Sequence, residues 1–285
     1  MAVIIDGKKV SEAVRVQISK EREAFEKQTG VKPGLAVIIV GDDPASQIYV
    51  RNKGKACEEV GFYSEIHRMS ADTTEEELLS LVHSLNQNEK IHGILVQSPL
   101  PKHLDEALVV NNIDYRKDVD AFHPINVGKI MIGDYSFLPC TPAGVMELLK
   151  AYDIDPSGKE CVVVGRSNIV GKPMAMLLLH ANGTVTISHS RTKNLSEVTK
   201  RADIVVVAVG KAKFLTGDMI KEGAVVIDVG MDRDENGKLC GDADFDSCEK
   251  KASFITPVPG GVGPMTITML MKNTLTSAKN CVKEK

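Results

Sequence analysis

The sequence has no Cys-x-x-Cys pair. Its six cysteines, Cys57, Cys140, Cys161, Cys240, Cys248 and Cys281, are scattered, which fits reduced thiols better than a disulfide framework or a zinc site, and no metal is expected. No apolar run approaches the ~20 residues of a membrane span. Met1 to Gly7 carries no basic leader before an apolar core, so a soluble, cytoplasmic protein is expected, with no membrane partner. An excess of positive charge is also missing. The formal net charge is -3, which argues against a broad nucleic-acid-binding surface. With 285 residues, 43% apolar and 26% charged, the chain has the composition of a globular enzyme and the length for two domains.

The organising stretch runs from Cys161 to Pro173. Val162, Val163 and Val164 form a short apolar run of the kind found in buried parallel strands. The run breaks at Gly165, and a helix-like segment, Met174 to His180, follows. Strand, tight turn and helix build a corner in which free N–H groups at the helix N-terminus face a diphosphate. Gly165, Ser167 and Val170 occupy the three glycine places of the dinucleotide fingerprint, so one of three is kept. An ordinary strand-to-helix turn is the alternative.

The surroundings repeat the α/β rhythm. Val185 to Ile187, Ile204 to Val209, Val225 to Ile227 and the weaker Phe254-Ile255 are short and mostly β-branched, with polar or glycine punctuation. This alternation predicts a Rossmann-like, doubly wound parallel sheet. NAD sites place an acid about 20 residues beyond the glycine turn. Here that place reads Ser188-His189-Ser190-Arg191-Thr192. Hydroxyls with Arg191, and Arg166 in the turn, suit the extra 2′-phosphate of NADP. Pro257 to Thr266 crowds prolines and glycines into one loop that a flat ligand could approach. Pro264 is expected to start a C-terminal helix that returns to the first domain.

In the first half, Val10, Ala13, Val14 and Ile18 mark an amphipathic helix ending at Gly30, and Leu35 to Val40 a buried strand. Asp42, Asp43 and Pro44 signal a helix that closes near Gly61. On it Tyr49 and Lys53 share a face with Ala56, Cys57 and Val60. An inward lysine has its charge disfavoured and can act as acid or base; a surface lysine against a tyrosine ring is the alternative. A strand around Ile66, a helix from Thr74 to Leu85 and a strand from Ile91 to Val96 imply a small parallel layer. Gln97 stands at the carboxyl end of that last strand, where open sheets bind ligands. Lys117 to Asn126 reads as a loop in which Asp120 could accept hydrogen bonds from a polar heterocycle and His123 is structural. Pro139-Cys140-Thr141-Pro142 reads as a rigid junction, with Pro142 at a helix N-terminus. The expected organisation is two α/β domains flanking a cleft: residues 1–141 plus 265–285, and residues 142–264.

Six stretches together resemble the bifunctional methylenetetrahydrofolate dehydrogenase/cyclohydrolase family. They are Tyr49-Val50-x-x-Lys53 with Cys57 and Gly61; Gln97-x-Pro99-Leu100-Pro101; Lys117-Asp118-Val119-Asp120; Pro139-Cys140-Thr141-Pro142; Gly165-x-Ser167-x-x-Val170-Gly171-x-Pro173; and Pro257 to Thr266. The resemblance implies oxidation of methylenetetrahydrofolate by NADP⁺ and hydrolysis of the methenyl product to formyltetrahydrofolate. It implies Lys53 as the acid/base group, Gln97 as its partner, and Tyr49 and Asp120 positioning the folate. Val96, Ser98, Pro259, Gly260, Gly261 and Val262 complete the implied substrate site. Gly165, Arg166, Ser167, Val170, Gly171, Ser190, Arg191 and Met231 form the implied cofactor site. A homodimer is implied as well, with 204–209 as a candidate exposed edge strand.

Two positions depart from the family pattern. Ser98 replaces a leucine after the glutamine, and Ala121 replaces a glycine after Asp120, which is harmless only where φ is negative. Two other classes compete. A two-domain NADP dehydrogenase of the shikimate dehydrogenase sort leaves the Pro-Gly-Gly-Val-Gly-Pro loop and the Tyr49–Lys53 helix unexplained. A non-catalytic nucleotide-binding protein predicts loss of Lys53, Gln97 or Asp120, and all three are present.

Overall fold

The computed structural model describes residues 1–283. Along the chain run β1 (Val3–Ile4), α1 (Gly7–Thr29), β2 (Gly34–Val40), α2 (Pro44–Val60), β3 (Tyr63–Met69), α3 (Glu75–Gln87), β4 (Gly93–Val96), α4 (Glu106–Asn112), α5 (Pro124–Ile132) and α6 (Cys140–Ala151). Then come β5 (Glu160–Val164), α7 (Gly171–His180), β6 (Thr184–Ser188), α8 (Leu195–Lys200), β7 (Ile204–Val207), β8 (Val225–Asp228), β9 (Asp232–Arg233), β10 (Leu239–Cys240), α9 (Phe245–Cys248), β11 (Phe254–Ile255) and α10 (Val262–Lys283). The chain divides into two units: residues 1–12 with 141–266, and residues 13–140 with 267 onward. The expected partition put residues 1–12 in the other domain. They change sides because β1 pairs in parallel with β11, Val3 opposite Phe254 and Ile4 opposite Ile255.

The unit of residues 13–140 holds a three-stranded parallel sheet in the order β3-β2-β4. Every residue of β2 is buried, as a continuous apolar run in a central strand requires. Ile38, Val40, Leu78, Val82, Leu85 and Ile94 pack as one core between sheet and helices. Local signals set the helix ends. The Asp43 carboxylate accepts from Ser46 N–H at the start of α2, and Gly61 closes it with φ 74°. Thr74 and Glu77 form a reciprocal capping box on α3. Residues 124–126 belong to α5, which corrects the loop expected to run to Asn126. Pro124 begins that helix and the His123 ring accepts from Ile125 N–H at 3.1 Å, a structural role for the histidine.

The other unit is a six-stranded, wholly parallel sheet in the order β1-β11-β8-β7-β5-β6. From β5 onward this is the doubly wound order 2-1-3-4-5, with its switch point between β5 and β7. The expectation that 204–209 forms an exposed edge is overturned. β7 lies between β5 and β8 and all four of its residues are buried. α6 begins at Cys140 and α10 at Val262, so Pro142 and Pro264 each fall inside a first turn, where a missing N–H leaves no bond unmade.

Candidate functional site

Lys53 lies on the inward stripe of α2 with Val50, Ala56, Cys57 and Val60, and is only 8% exposed. That removes the alternative of a surface lysine. Its Nζ donates to Gln97 Oε1 at 2.9 Å. Gln97 is held by its own backbone, which extends the β4 ladder to Ile38 O at 2.8 Å, and its Nε2 donates to Ser98 O at 2.7 Å. Burial pulls the Lys53 amine below the ordinary lysine range, while the charge of Asp120 opposes the fall. Burial likewise pushes Asp120 up, against the pull of Lys53. The Cys140 thiol donates to Asp120 Oδ1 at 3.4 Å, and burial beside that carboxylate raises it well above the ordinary thiol range. Lys53, Gln97, Asp120 and Cys140 thus form one cluster in which the lysine and the aspartate both lean towards neutrality. Tyr49 lies one turn before Lys53, 37% exposed, beside the cluster's helix face.

The two departures have distinct outcomes. The Ser98 hydroxyl is hydrogen-bonded to Glu106 of α4, so its side chain is tied to that helix. Ala121 is buried and has φ 58°, the left-handed region that its Cβ disfavours. The condition for a harmless replacement is therefore not met. What holds the turn is Asp118: its carboxylate accepts from His123 N–H and Asn126 Nδ2, each at 2.8 Å, and its carbonyl accepts from Ala121 N–H at 3.1 Å. Val96 precedes Gln97 and is half-buried. Pro259 to Val262 belong to the other unit, where Gly260 has φ 105° and its carbonyl accepts from Lys8 N–H at 3.1 Å.

At the switch point, Gly165 has φ 132°, and a Cβ there would come within 2.2 Å of Ala208 O. A Cβ on Gly171 would come within 2.4 Å of Gly165 O. The close-packing glycine is thus Gly171, one place beyond Val170, which serves as N-cap. The free N–H groups expected at this helix start are partly engaged: Ser167 Oγ accepts from Val170 N–H at 3.1 Å and Gly171 N–H at 3.2 Å. Ser190, Arg191, Arg166 and Ser167 are exposed at the carboxyl ends of β5 and β6. No acid follows β6; His189 and Thr192 close its turn through a 2.9 Å bond from His189 N–H to Thr192 Oγ1. Met231 stands exposed just beyond β8. A glycine-lined turn with exposed hydroxyls and guanidinium groups fits a phosphorylated dinucleotide. Asp228 and Asp242, which the sequence reading passed over, fix the neighbouring loops. Asp242 accepts from Val209 and Lys211 N–H, each at 2.6 Å, and Asp228 from Gly230, Asp242 and Ala243 N–H.

The doubly wound sheet and its turn define a dinucleotide-binding α/β protein with a second unit built around a buried lysine. Residues 5–120 match the model for the tetrahydrofolate dehydrogenase/cyclohydrolase catalytic domain, and residues 139–282 the model for the NAD(P)-binding domain of the same family. The chain belongs to the tetrahydrofolate dehydrogenase/cyclohydrolase family. It is 61% identical over 284 residues to the bifunctional protein FolD of Acetivibrio thermocellus, covering 100% of this chain and 99% of that one. The crystal structure of the bifunctional FolD methylenetetrahydrofolate dehydrogenase/cyclohydrolase from Campylobacter jejuni is 52% identical with a TM-score of 0.96, covering 99% and 100% of the two chains. The Trypanosoma brucei enzyme, solved with NADP cofactor and an inhibitor, is 42% identical with a TM-score of 0.94, covering 99% of each. Among the described residues no helix is long and apolar enough to cross a membrane.

Proposed function

We propose that this chain oxidises 5,10-methylenetetrahydrofolate with NADP⁺ to the 5,10-methenyl cation and hydrolyses that cation to 10-formyltetrahydrofolate. NADP⁺, when bound, accepts the hydride; the chain's own part in that step is proximity and orientation. In the hydrolysis, Lys53 as the neutral amine takes one proton from the attacking water as its oxygen bonds the methenyl carbon. The ammonium returns a proton to N5 as the carbon–N5 bond breaks, and the hydroxyl proton leaves to solvent. Gln97 Oε1 aims the amine, Asp120 holds the pterin ring and Tyr49 packs on the folate. Pro259, Gly260, Gly261 and Val262 are assigned to substrate on family resemblance alone. Arg191, Ser190 and Arg166 select the 2′-phosphate, and the protein works as a cytoplasmic homodimer that binds no nucleic acid.

The observation that carries this reading is the buried Lys53–Gln97 pair at 2.9 Å, an amine kept from water within the field of a carboxylate. The test is Lys53→Met, with methenyl formation and hydrolysis followed as separate signals. Hydrolysis is expected to fall by about 10²–10⁴, the usual contribution of a positioned acid/base, while NADPH formation survives. Equal loss of both activities in a folded variant would remove Lys53 from the acid/base role.

A further inference from the structure

α10 turns a row of buried polar side chains towards the segment that carries Asp120. Asn273 Nδ2 donates to Val119 O and to Leu138 O, both at 2.8 Å. One turn on, Ser277 Oγ lies 2.6 Å from His92 O and 2.8 Å from Arg116 O. Between them, Thr274 packs where Gly93 has no side chain: a Cβ there would lie 3.1 Å from Thr274 Oγ1 and 2.9 Å from the Val119 methyls. The orientation of the Asn273 amide follows from its neighbours. Both are carbonyls, which only accept, so the NH₂ must face them and both its protons are used. The Cys140 sulfur, 3.7 Å from Nδ2, faces Asp120 Oδ1 at 3.4 Å and Val119 O at 3.6 Å with its own proton.

We infer that Asn273 is a positioning residue for the folate reactions, setting where the Asp120 carboxylate stands. It grips the carbonyl immediately before Asp120 and, with the other proton, the strand of chain that leads into Cys140, whose thiol touches the same carboxylate. Asp118 fixes the far side of the turn through His123 and Asn126. Removing the amide leaves the half-buried Leu138 carbonyl without this donor and Val119 O with only the weak Cys140 thiol at 3.6 Å, and the segment between these two clamps shifts to find another. The inference rests on the reading that Asp120 holds the folate ring.

The test uses the full-length enzyme and compares Asn273→Ala, Asp120→Asn and the double variant. KM for methylenetetrahydrofolate and for NADP⁺ is measured in each. Asn273→Ala is expected to raise the folate KM about tenfold, leaving the NADP⁺ KM within about twofold. In the Asp120→Asn background the same change is expected to alter the folate KM less than about twofold, because coupled positions are not additive. Asn273→Ser, which keeps one donor, is expected to fall between, and it carries the comparison where the alanine variant does not fold. An unchanged folate KM, or an equal effect in both backgrounds, overturns the inference while the reading of Asp120 stands. If Asp120→Asn alone leaves the folate KM unchanged, that reading fails and takes the inference with it.

Discussion

The turn after β5 makes a quantitative demand that three glycine-to-alanine substitutions separate. Gly158 has φ 70° with open space around it, so Gly158→Ala meets only the backbone penalty. Left-handed φ costs a Cβ about 1–2 kcal/mol, offset by about 0.4–1 kcal/mol from the stiffer unfolded chain, for a net loss near 1 kcal/mol. Gly171 has no positive φ, but a Cβ would lie 2.4 Å from Gly165 O and 2.7 Å from Arg166 N. Both obstacles are backbone and cannot swing away, so overpacking of roughly 1–3 kcal/mol applies. Gly165 combines the two, with φ 132° and Ala208 O at 2.2 Å. Its alanine variant should lose roughly 2–5 kcal/mol, the sum of strain and overlap. At about 2–4 °C per kcal/mol for a chain segment of this size, the melting temperature should fall by roughly 4–20 °C for Gly165→Ala and by only a few degrees for Gly158→Ala. Thermal unfolding and the KM for NADP⁺ read the two consequences. The KM should rise at Gly165 and Gly171 and stay constant at Gly158, which precedes β5 at the opposite end of the strand. A Gly171→Ala variant as mild as Gly158→Ala in both measurements would refute the claim that close backbone approach shapes this turn.

Two further outcomes follow from charge. Lys53 titrates below its unfolded value of 10.5 because it is buried, so the unfolded chain binds more protons in that window and wild-type stability rises with pH through it. Lys53→Met removes this cost; its melting temperature should equal or exceed that of wild type at pH 7, with the difference shrinking towards pH 10. A variant less stable at pH 7 by a margin that pH does not change would count against a depressed lysine. At the cofactor turn, Arg191→Ala should raise the KM for NADP⁺ by about ten- to a hundredfold, the strength of a charge-assisted phosphate contact, with little effect on NAD⁺. Equal changes for both cofactors would move 2′-phosphate recognition elsewhere.

Where burial and local capping decide an element, the amino-acid order suffices to find it. β2, β5, β7 and β8 each hold a buried apolar run rich in Val and Ile, and α2 and α3 announce their starts through Asp43-Pro44 and Thr74-x-x-Glu77. β1 and the β9–β10 pair have two residues per strand, too short for any period to register. α5 was hidden because its cap is a histidine, which is seldom read as a helix start. The mistaken edge at 204–209 came from strand order, which is long-range; its four uninterrupted β-branched residues already pointed to burial on both faces. At the site, Tyr49, Lys53, Gln97 and Asp120 each carried a local or family signal. Cys140 stood in a family stretch that reads only as a rigid junction, and Asn273 carried no signal, because its partners lie more than 130 residues away.

The pairing of β1 with β11 has a consequence for biosynthesis. Val3 leaves the ribosome roughly 250 residues ahead of its partner Phe254. The other unit waits as well, because the Asn273 amide that donates to Val119 O and Leu138 O emerges later still. At about 5–20 residues per second, the nascent chain therefore spends many seconds with neither unit closed. Co-translational folding here can begin with the local helices and the β2–β4 layer, but neither unit has its full set of partners until the stretch from Phe254 to Asn273 is made.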